Sequence, residues 1–292
     1  MHLGLPLLLG MIVGCGSLPH ASESAVATPK ASLDDATPGA LLVIGGGRIV
    51  PELREAFFQL AGGKDARILI FPQASSRERA GQQHLEAWQE AGGTKLVIAD
   101  LTKPKEIRRA LADANAIWFG GGSQNRLMDA LRDAKLVDLI RARHAEGLVA
   151  GGTSAGAAVM SKKMLTGDAN LEALSPGTTE LAEGLGLWPG VIVDQHFHAR
   201  RRFNRLLSAV NANQAEIGVG IDESTGVVVE GDRWRVVGAS GVLIVDSRKA
   251  TVSNEGAHLH LEGGALHALP AGATWSPSAE APKEKKRGSS LR

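Results

Sequence analysis

From residue 40 onward, short apolar runs alternate with longer stretches in which apolar residues recur every three or four positions. A run of four or five apolar residues reads as a buried strand, and a periodic stretch of ten or so reads as a helix with one face packed. The pattern predicts strands over 41–44, 67–71, 95–99, 116–119 and 148–150, and helices over 52–61, 81–91, 104–112, 124–132 and 136–146. Gly, Pro or Ser follows most of these strands. Strand and helix in repeated alternation are the pattern of βαβ units. The expected class is therefore α/β, an αβα sandwich whose mostly parallel sheet is covered on both faces.

Past about residue 190 the texture changes. Residues 226–230 and 233–237 flank Gly231-Asp232, a hairpin signal, and further strands are expected at 242–245 and 258–261. This part reads as an antiparallel C-terminal extension, so residues 40–270 form a single expected domain. No internal repeat is apparent.

The two ends read differently. Residues 3–13 are an apolar run too short to span a bilayer and placed like the core of an export signal. Cys15, the only cysteine, follows Ile12-Val13-Gly14 and resembles a lipobox. Residues 1–15 are thus expected to direct export, with lipidation at Cys15 giving an outer-membrane lipoprotein, periplasmic or extracellular and tethered to the membrane. His2 stands where a basic residue is usual, and cleavage near Ala25-Val26-Ala27 is the rival. Residues 16–39, rich in Ser, Ala, Thr and Pro, read as a linker, and residues 271–292 as a basic, disordered tail containing Lys283, Lys285, Lys286 and Arg287.

Composition removes some functions. Lys and Arg total 32 against 31 for Asp and Glu, a formal charge of +1, which provides no global field for nucleic acid. Aromatic residues are 4% of the chain and Tyr is absent, so stacking platforms are scarce. With 43% hydrophobic residues the chain can build a core without disulfides.

The sharpest chemical signal is Gly152-Thr153-Ser154-Ala155-Gly156, a G-x-S-x-G sequence between a strand and a small-residue helix. That context suits a nucleophile elbow, with Ser154 at the bend. An activated Ser needs a base and an orienting acid. Spacing alone leaves His196, His198, His258, His260 and His267 open. His196 is favoured because the apolar run 191–193 leads into Asp194, Gln195 and His196, and Glu223 follows a similar run, 217–221. A hydrolase-like order of Ser154, Asp194 and His258 is the alternative. For an oxyanion, the N–H of Ala155 and the Gly120-Gly121-Gly122 run are candidate donors, with Gln124 just beyond. Two other classes compete: a metal-dependent hydrolase built on His196-x-His198 and His258-x-His260, and a substrate-binding lipoprotein without turnover. Gly45-Gly46-Gly47 is not a dinucleotide fingerprint, because Val50 stands where the third Gly is required.

Four motifs in order resemble the peptidase S51 family over about residues 41–245. They are Phe119-Gly120-Gly121-Gly122-Ser123-Gln124, Gly151 to Ala157, Asp194-Gln195-His196-Phe197 with Arg200, Arg202 and Arg205, and Gly220-Ile221-Asp222-Glu223. The resemblance implies a fold like a class I glutamine amidotransferase. It implies Ser154, His196 and Glu223 as nucleophile, base and orienting acid, and Gly121, Gly122 and Ala155 at the oxyanion. Gln124, Asp194, Gln195, Arg202 and Arg205 would line the substrate site. The implied activity is serine exopeptidase action on cyanophycin, the Arg-decorated polyaspartate, releasing β-Asp-Arg dipeptides. In that site Arg202 and Arg205 would pair with a substrate carboxylate and Asp194 with a guanidinium. An exported aspartyl dipeptidase is the runner-up. No cofactor, no metal and no nucleic acid are expected, and the expected assembly is a homodimer. The first turn, Gly45-Gly46-Gly47-Arg48, departs from the acidic ending expected in the family, so no role follows for it.

Overall fold

Apolar residues two apart on a strand point to the same face, and here both faces are apolar. The computed structural model describes residues 38–166, 175, 179–213, 216–253 and 258–278. Its first half is β1 (Leu41–Ile44), α1 (Pro51–Leu60), β2 (Arg67–Phe71), α2 (Ala80–Glu90), β3 (Lys95–Ile98), α3 (Pro104–Asp113), β4 (Ala116–Phe119), α4 (Gln124–Asp133), α5 (Val137–Ala145), β5 (Val149–Thr153) and α6 (Ala155–Ala158). The strands lie side by side as β1-β5-β4-β2-β3, all parallel. On β1, Leu42 and Ile44 pack with Leu53, Phe57, Trp88 and Trp118, whereas Leu41 and Val43 pack with Leu111, Leu127 and Ile140. Helices α1 and α2 thus cover one face, and α3, α4 and α5 the other.

The second half adds β6 (Lys163–Leu165), β7 (Leu181–Glu183), β8 (Val191–Gln195), α7 (Phe203–Asn211), β9 (Ile217–Ile221), β10 (Thr225–Glu230), β11 (Arg233–Gly238), β12 (Gly241–Asp246), β13 (Thr251–Ser253), β14 (His260–Glu262), β15 (Ala265–Pro270) and β16 (Thr274–Trp275). Strands β10, β11 and β16 extend the main sheet beyond β1 in antiparallel fashion, making eight strands. Strand β8 pairs in parallel with β9 in a separate four-stranded sheet, ordered β15-β12-β9-β8. Val193, Val219 and Val242 of this second sheet join the core cluster on the α3–α5 face of the main sheet. Its opposite face is sealed by α7, where Ile192 packs with Leu206 and Val210.

The α/β sandwich with a mainly parallel sheet matches the expectation, but three boundaries differ. The antiparallel extension is split between two sheets, and it includes the parallel β8-β9 pair. Strand β5 runs on to Thr153 rather than stopping at Ala150, because Gly151 and Gly152 admit neighbours too close for any side chain: a Cβ on Gly151 would lie 2.4 Å from the Phe57 ring. The domain also continues past residue 270, where β16 pairs with β11 and Trp275 meets Trp234 with ring centroids 4.8 Å apart. The export segment, Cys15 and the linker up to residue 37 lie outside the described residues, as does the tail from residue 279. Among the described residues, no helix is long and apolar enough to cross a membrane.

Candidate active site

Strand β5 ends against a four-residue helix, and the chain reverses sharply at Ser154, with φ 54° and ψ −112°. Positive φ strains an L-residue by about 1–3 kcal/mol and persists only where neighbours over-determine it. Here the Ser154 N–H donates to Ile44 O at 3.0 Å, fixing the bend to β1. The two motif glycines allow the close packing around it. A Cβ on Gly152 would lie 2.4 Å from Gly156 O, and one on Gly156 would lie 2.3 Å from Phe119 O.

His196 follows β8, and Glu223 sits in the short turn joining β9 to β10, which carries the chain from the second sheet to the main one. The His196 ring meets Ser154 Oγ through Nε2 at 2.9 Å and Glu223 Oε1 through Nδ1 at 2.5 Å. A carboxylate only accepts, so Nδ1 carries the proton and Nε2 is left to accept from the Ser154 hydroxyl. Burial pushes the His196 pKa below the ordinary imidazole value, with Arg200 and Arg202 pushing the same way; the Glu223 hydrogen bond and charge pull it upward without restoring it. Neutral imidazole at neutral pH is the form that can take a proton.

The loop after β1 holds this arrangement. His196 N–H donates to Gly45 O at 2.6 Å, and Ser224 N–H donates to Gly46 O at 2.8 Å. A Cβ on Gly46 (φ 116°) would lie 2.3 Å from the His196 ring, and one on Gly47 (φ 71°) 2.9 Å from Glu223 Cβ. His196 (φ 50°) and Ser224 (φ 53°) are strained like Ser154. This triglycine loop is the functional element missed by sequence reasoning. Its signal was three glycines immediately after the first strand.

Two cavities open beside Ser154 and share Gly122, Ser123 and Ser154 in their walls. One, of about 410 Å³, is lined by Gln124, Gln195, Arg200 and Arg202. The Gln124 amide donates to Leu165 O at 2.9 Å, and Arg202 donates to Gln195 O at 2.6 Å. The other, of about 650 Å³, includes Gly46, Arg77, His84, Gly121 and His196. A Cβ on Gly121 would be 3.4 Å from Ser154 Cβ, so the backbone after β4 passes close to the hydroxyl. Ala155 opens the first turn of α6 beside it.

Asp194 and Arg205 do not take the places expected of them. Arg205 on α7 grips Asp194 on β8 by donating from Nε to Oδ2 at 3.0 Å and from Nη2 to Oδ1, and Arg202 Nη1 lies 3.7 Å from the same carboxylate. Both side chains are shut away from solvent, 0% exposed for Asp194 and 1% for Arg205, and neither lines either cavity. Desolvation is the reason: a charge this deep is tolerated only when paired, so the two satisfy each other rather than a ligand. Burial pushes the Asp194 pKa up while the guanidiniums oppose it.

The rival constellations come apart. Asp194 is committed to Arg205 and is not the partner of a His258 base. His198 instead meets Asp222 at 3.3 Å, and His260 lies 3.9 Å from Glu262 in a peripheral sheet. Among the described residues, no three His, Cys, Asp or Glu side chains are grouped to hold a metal ion.

The family model for peptidase family S51 matches residues 41–237, a stretch that contains the elbow, His196, Glu223 and both cavities. The chain belongs to peptidase family S51. It is accordingly a serine-type peptidase, and the S51 match spans the five parallel strands together with the turn bearing Glu223. The cyanophycinase of Trichormus variabilis is 41% identical over 232 residues, covering 75% of this chain and 78% of that one. The cyanophycinase of Geminocystis herdmanii is 38% identical over 240 residues, covering 78% and 88%. A crystal structure of a peptidase from an acI-B1 Actinobacterium superposes with a TM-score of 0.60 at 25% identity, covering 82% of this chain and 97% of that one.

Proposed function

We propose that the protein is an exopeptidase that hydrolyses cyanophycin to β-Asp-Arg dipeptides through Ser154, His196 and Glu223. The observation that carries the chemistry is the continuous hydrogen-bonded line from Ser154 Oγ through the imidazole to Glu223. The substrate rests on the likeness to cyanophycinases. In this mechanism Ser154 Oγ attacks the backbone carbonyl between two aspartates as its proton passes to His196 Nε2. Glu223 holds the Nδ1 proton and stabilises the imidazolium so formed. The oxyanion is met by backbone N–H groups at Gly121 or Gly122 and Ala155. Collapse breaks the C–N bond, His196 returns its proton to the leaving amine, and an acyl-Ser154 ester remains. Water then attacks the ester with its proton going to His196, and the C–O bond to Ser154 breaks as His196 returns that proton to Oγ and the carboxylic acid departs.

Purified protein is to be incubated with insoluble cyanophycin, and separately with α-aspartyl and β-aspartyl dipeptides, with products read by mass spectrometry. Release of β-Asp-Arg, abolished by Ser154→Ala, is expected. Turnover of simple dipeptides with cyanophycin untouched would make the protein an aspartyl dipeptidase, and binding without turnover would make it a binding lipoprotein. We further propose export, acylation at Cys15 and a homodimer. A mature N-terminus near Ala25, or a monomer in sedimentation, would overturn the corresponding part.

A further inference from the structure

Both cavities beside Ser154 are cationic. The smaller carries Arg200 and Arg202 and the larger Arg77 and Arg126, beside a half-buried His84 whose pKa burial pushes down so that it serves as a neutral donor, and no Asp or Glu lines either among the described residues. Arg126 also donates to Ala74 O at 3.0 Å, which holds the loop between β2 and α2 against the larger cavity. Guanidiniums gathered in a concavity focus a positive potential and present paired donors to a carboxylate, while repelling another guanidinium. A cyanophycin repeat offers one free carboxylate and one guanidinium, and cleavage places one repeat on each side of the scissile bond. Two cationic cavities that share the Ser154 wall match two successive repeats.

We propose that the cavity of Arg77, His84 and Arg126 is a second carboxylate subsite, holding the arginine α-carboxylate of one repeat while Arg200 and Arg202 face that of the other. The guanidiniums of both repeats then point away from the cavity walls toward solvent. The proposal rests on the cyanophycin reading above and deepens it, because it assigns recognition to the carboxylates rather than to an acidic pocket for arginine.

The test uses the smallest substrate with a scissile bond, two β-Asp-Arg units joined by one backbone peptide bond. Three forms are compared: unmodified, and with either arginine carboxylate converted to the amide. Each amide should lower kcat/KM of the wild type by about 10-fold or more, the worth of a charge-assisted hydrogen bond. Arg77→Gln should cause a similar loss on the unmodified substrate and cancel the penalty of one amide only, which identifies the repeat held in this cavity. Arg79→Gln, whose guanidinium instead faces Glu86 at 3.6 Å, should behave as wild type. Arg126→Gln is a second variant, but Arg77 carries the decision because its guanidinium supports no loop. Cleavage of the unmodified substrate with neither amide mattering, or with Arg77→Gln unchanged, would overturn the subsite and leave the cyanophycin reading standing. No cleavage of the unmodified substrate by the wild type would overturn that reading and the subsite with it.

Discussion

His196 is where several residue-scale effects meet in one measurable quantity. Burial is the leading cause that lowers its pKa, Glu223 opposes, and Arg200 adds to the lowering. If His196 must be neutral to accept the Ser154 proton, kcat/KM rises with pH through its pKa, and the acid limb lies below the ordinary imidazole value. Arg200→Gln removes a like charge that disfavours imidazolium. The His196 pKa therefore rises, and the acid limb moves to higher pH. A pH–rate profile that stays in place or moves to lower pH would rule this out. Gly46 makes a second residue-scale case. A methyl group there would press on the His196 ring from 2.3 Å. Misplacement on the order of 1 Å costs about 100-fold in rate, so Gly46→Ala is expected to lose that much kcat while keeping a native circular dichroism spectrum. Unchanged kcat would show that the loop can yield. Ser154, His196 and Glu223 were legible as candidates because each follows a strand-like run. The triglycine loop was not, because its part depends on two turns that come more than a hundred residues later.

At the scale of elements, the Asp194–Arg205 pair ties β8 to α7 and fixes the strand from which His196 projects. From sequence alone, Arg205→Ala is expected to harm kcat/KM far more than stability. Burial reverses that expectation. Removing one partner of a buried pair strands the other charge and costs about 3–5 kcal/mol, so Arg205→Ala and Asp194→Asn should each lower the urea midpoint by a corresponding amount. Stability near that of the wild type, with activity lost, would return Arg205 to a direct role with substrate. Arg202 differs, since it lines the smaller cavity as well as contacting Asp194. Its substitution should lower both quantities. The run of arginines showed cationic chemistry, but the distinction among its members came from the way α7 lies on β8.

For the whole molecule, the proposed machinery is divided between sheets: Ser154 directly follows a strand of the main sheet, while His196 follows β8 of the second and Glu223 sits in the turn that leaves its β9. The two sheets share one apolar cluster, in which Val43 and Phe119 pack with Val193, Val219 and Ile221. Separating them would expose that cluster and undo the Ser154–His196 contact together. Urea transitions followed by activity, tryptophan fluorescence and circular dichroism should therefore coincide. Activity lost at clearly lower urea than the spectroscopic signals would show that the second sheet detaches alone.

The parallel βαβ half was determined by the sequence itself. Apolar periodicity and Gly punctuation act over a few residues, so helices and strands such as 41–44, 67–71 and 116–119 can be read locally, as can the bend at Ser154 with its flanking glycines. Tertiary structure decided the rest. His196 lies 42 positions from Ser154 and 27 from Glu223, and their meeting depends on a second sheet stacking against the first. Nothing in the spacing of the histidines encodes that stacking. Burial likewise divided the charged residues, hiding Asp194 and Arg205 against each other and leaving Arg77, Arg126 and Arg200 at the cavities, because desolvation depends on which elements pack over a side chain and not on its neighbours in sequence.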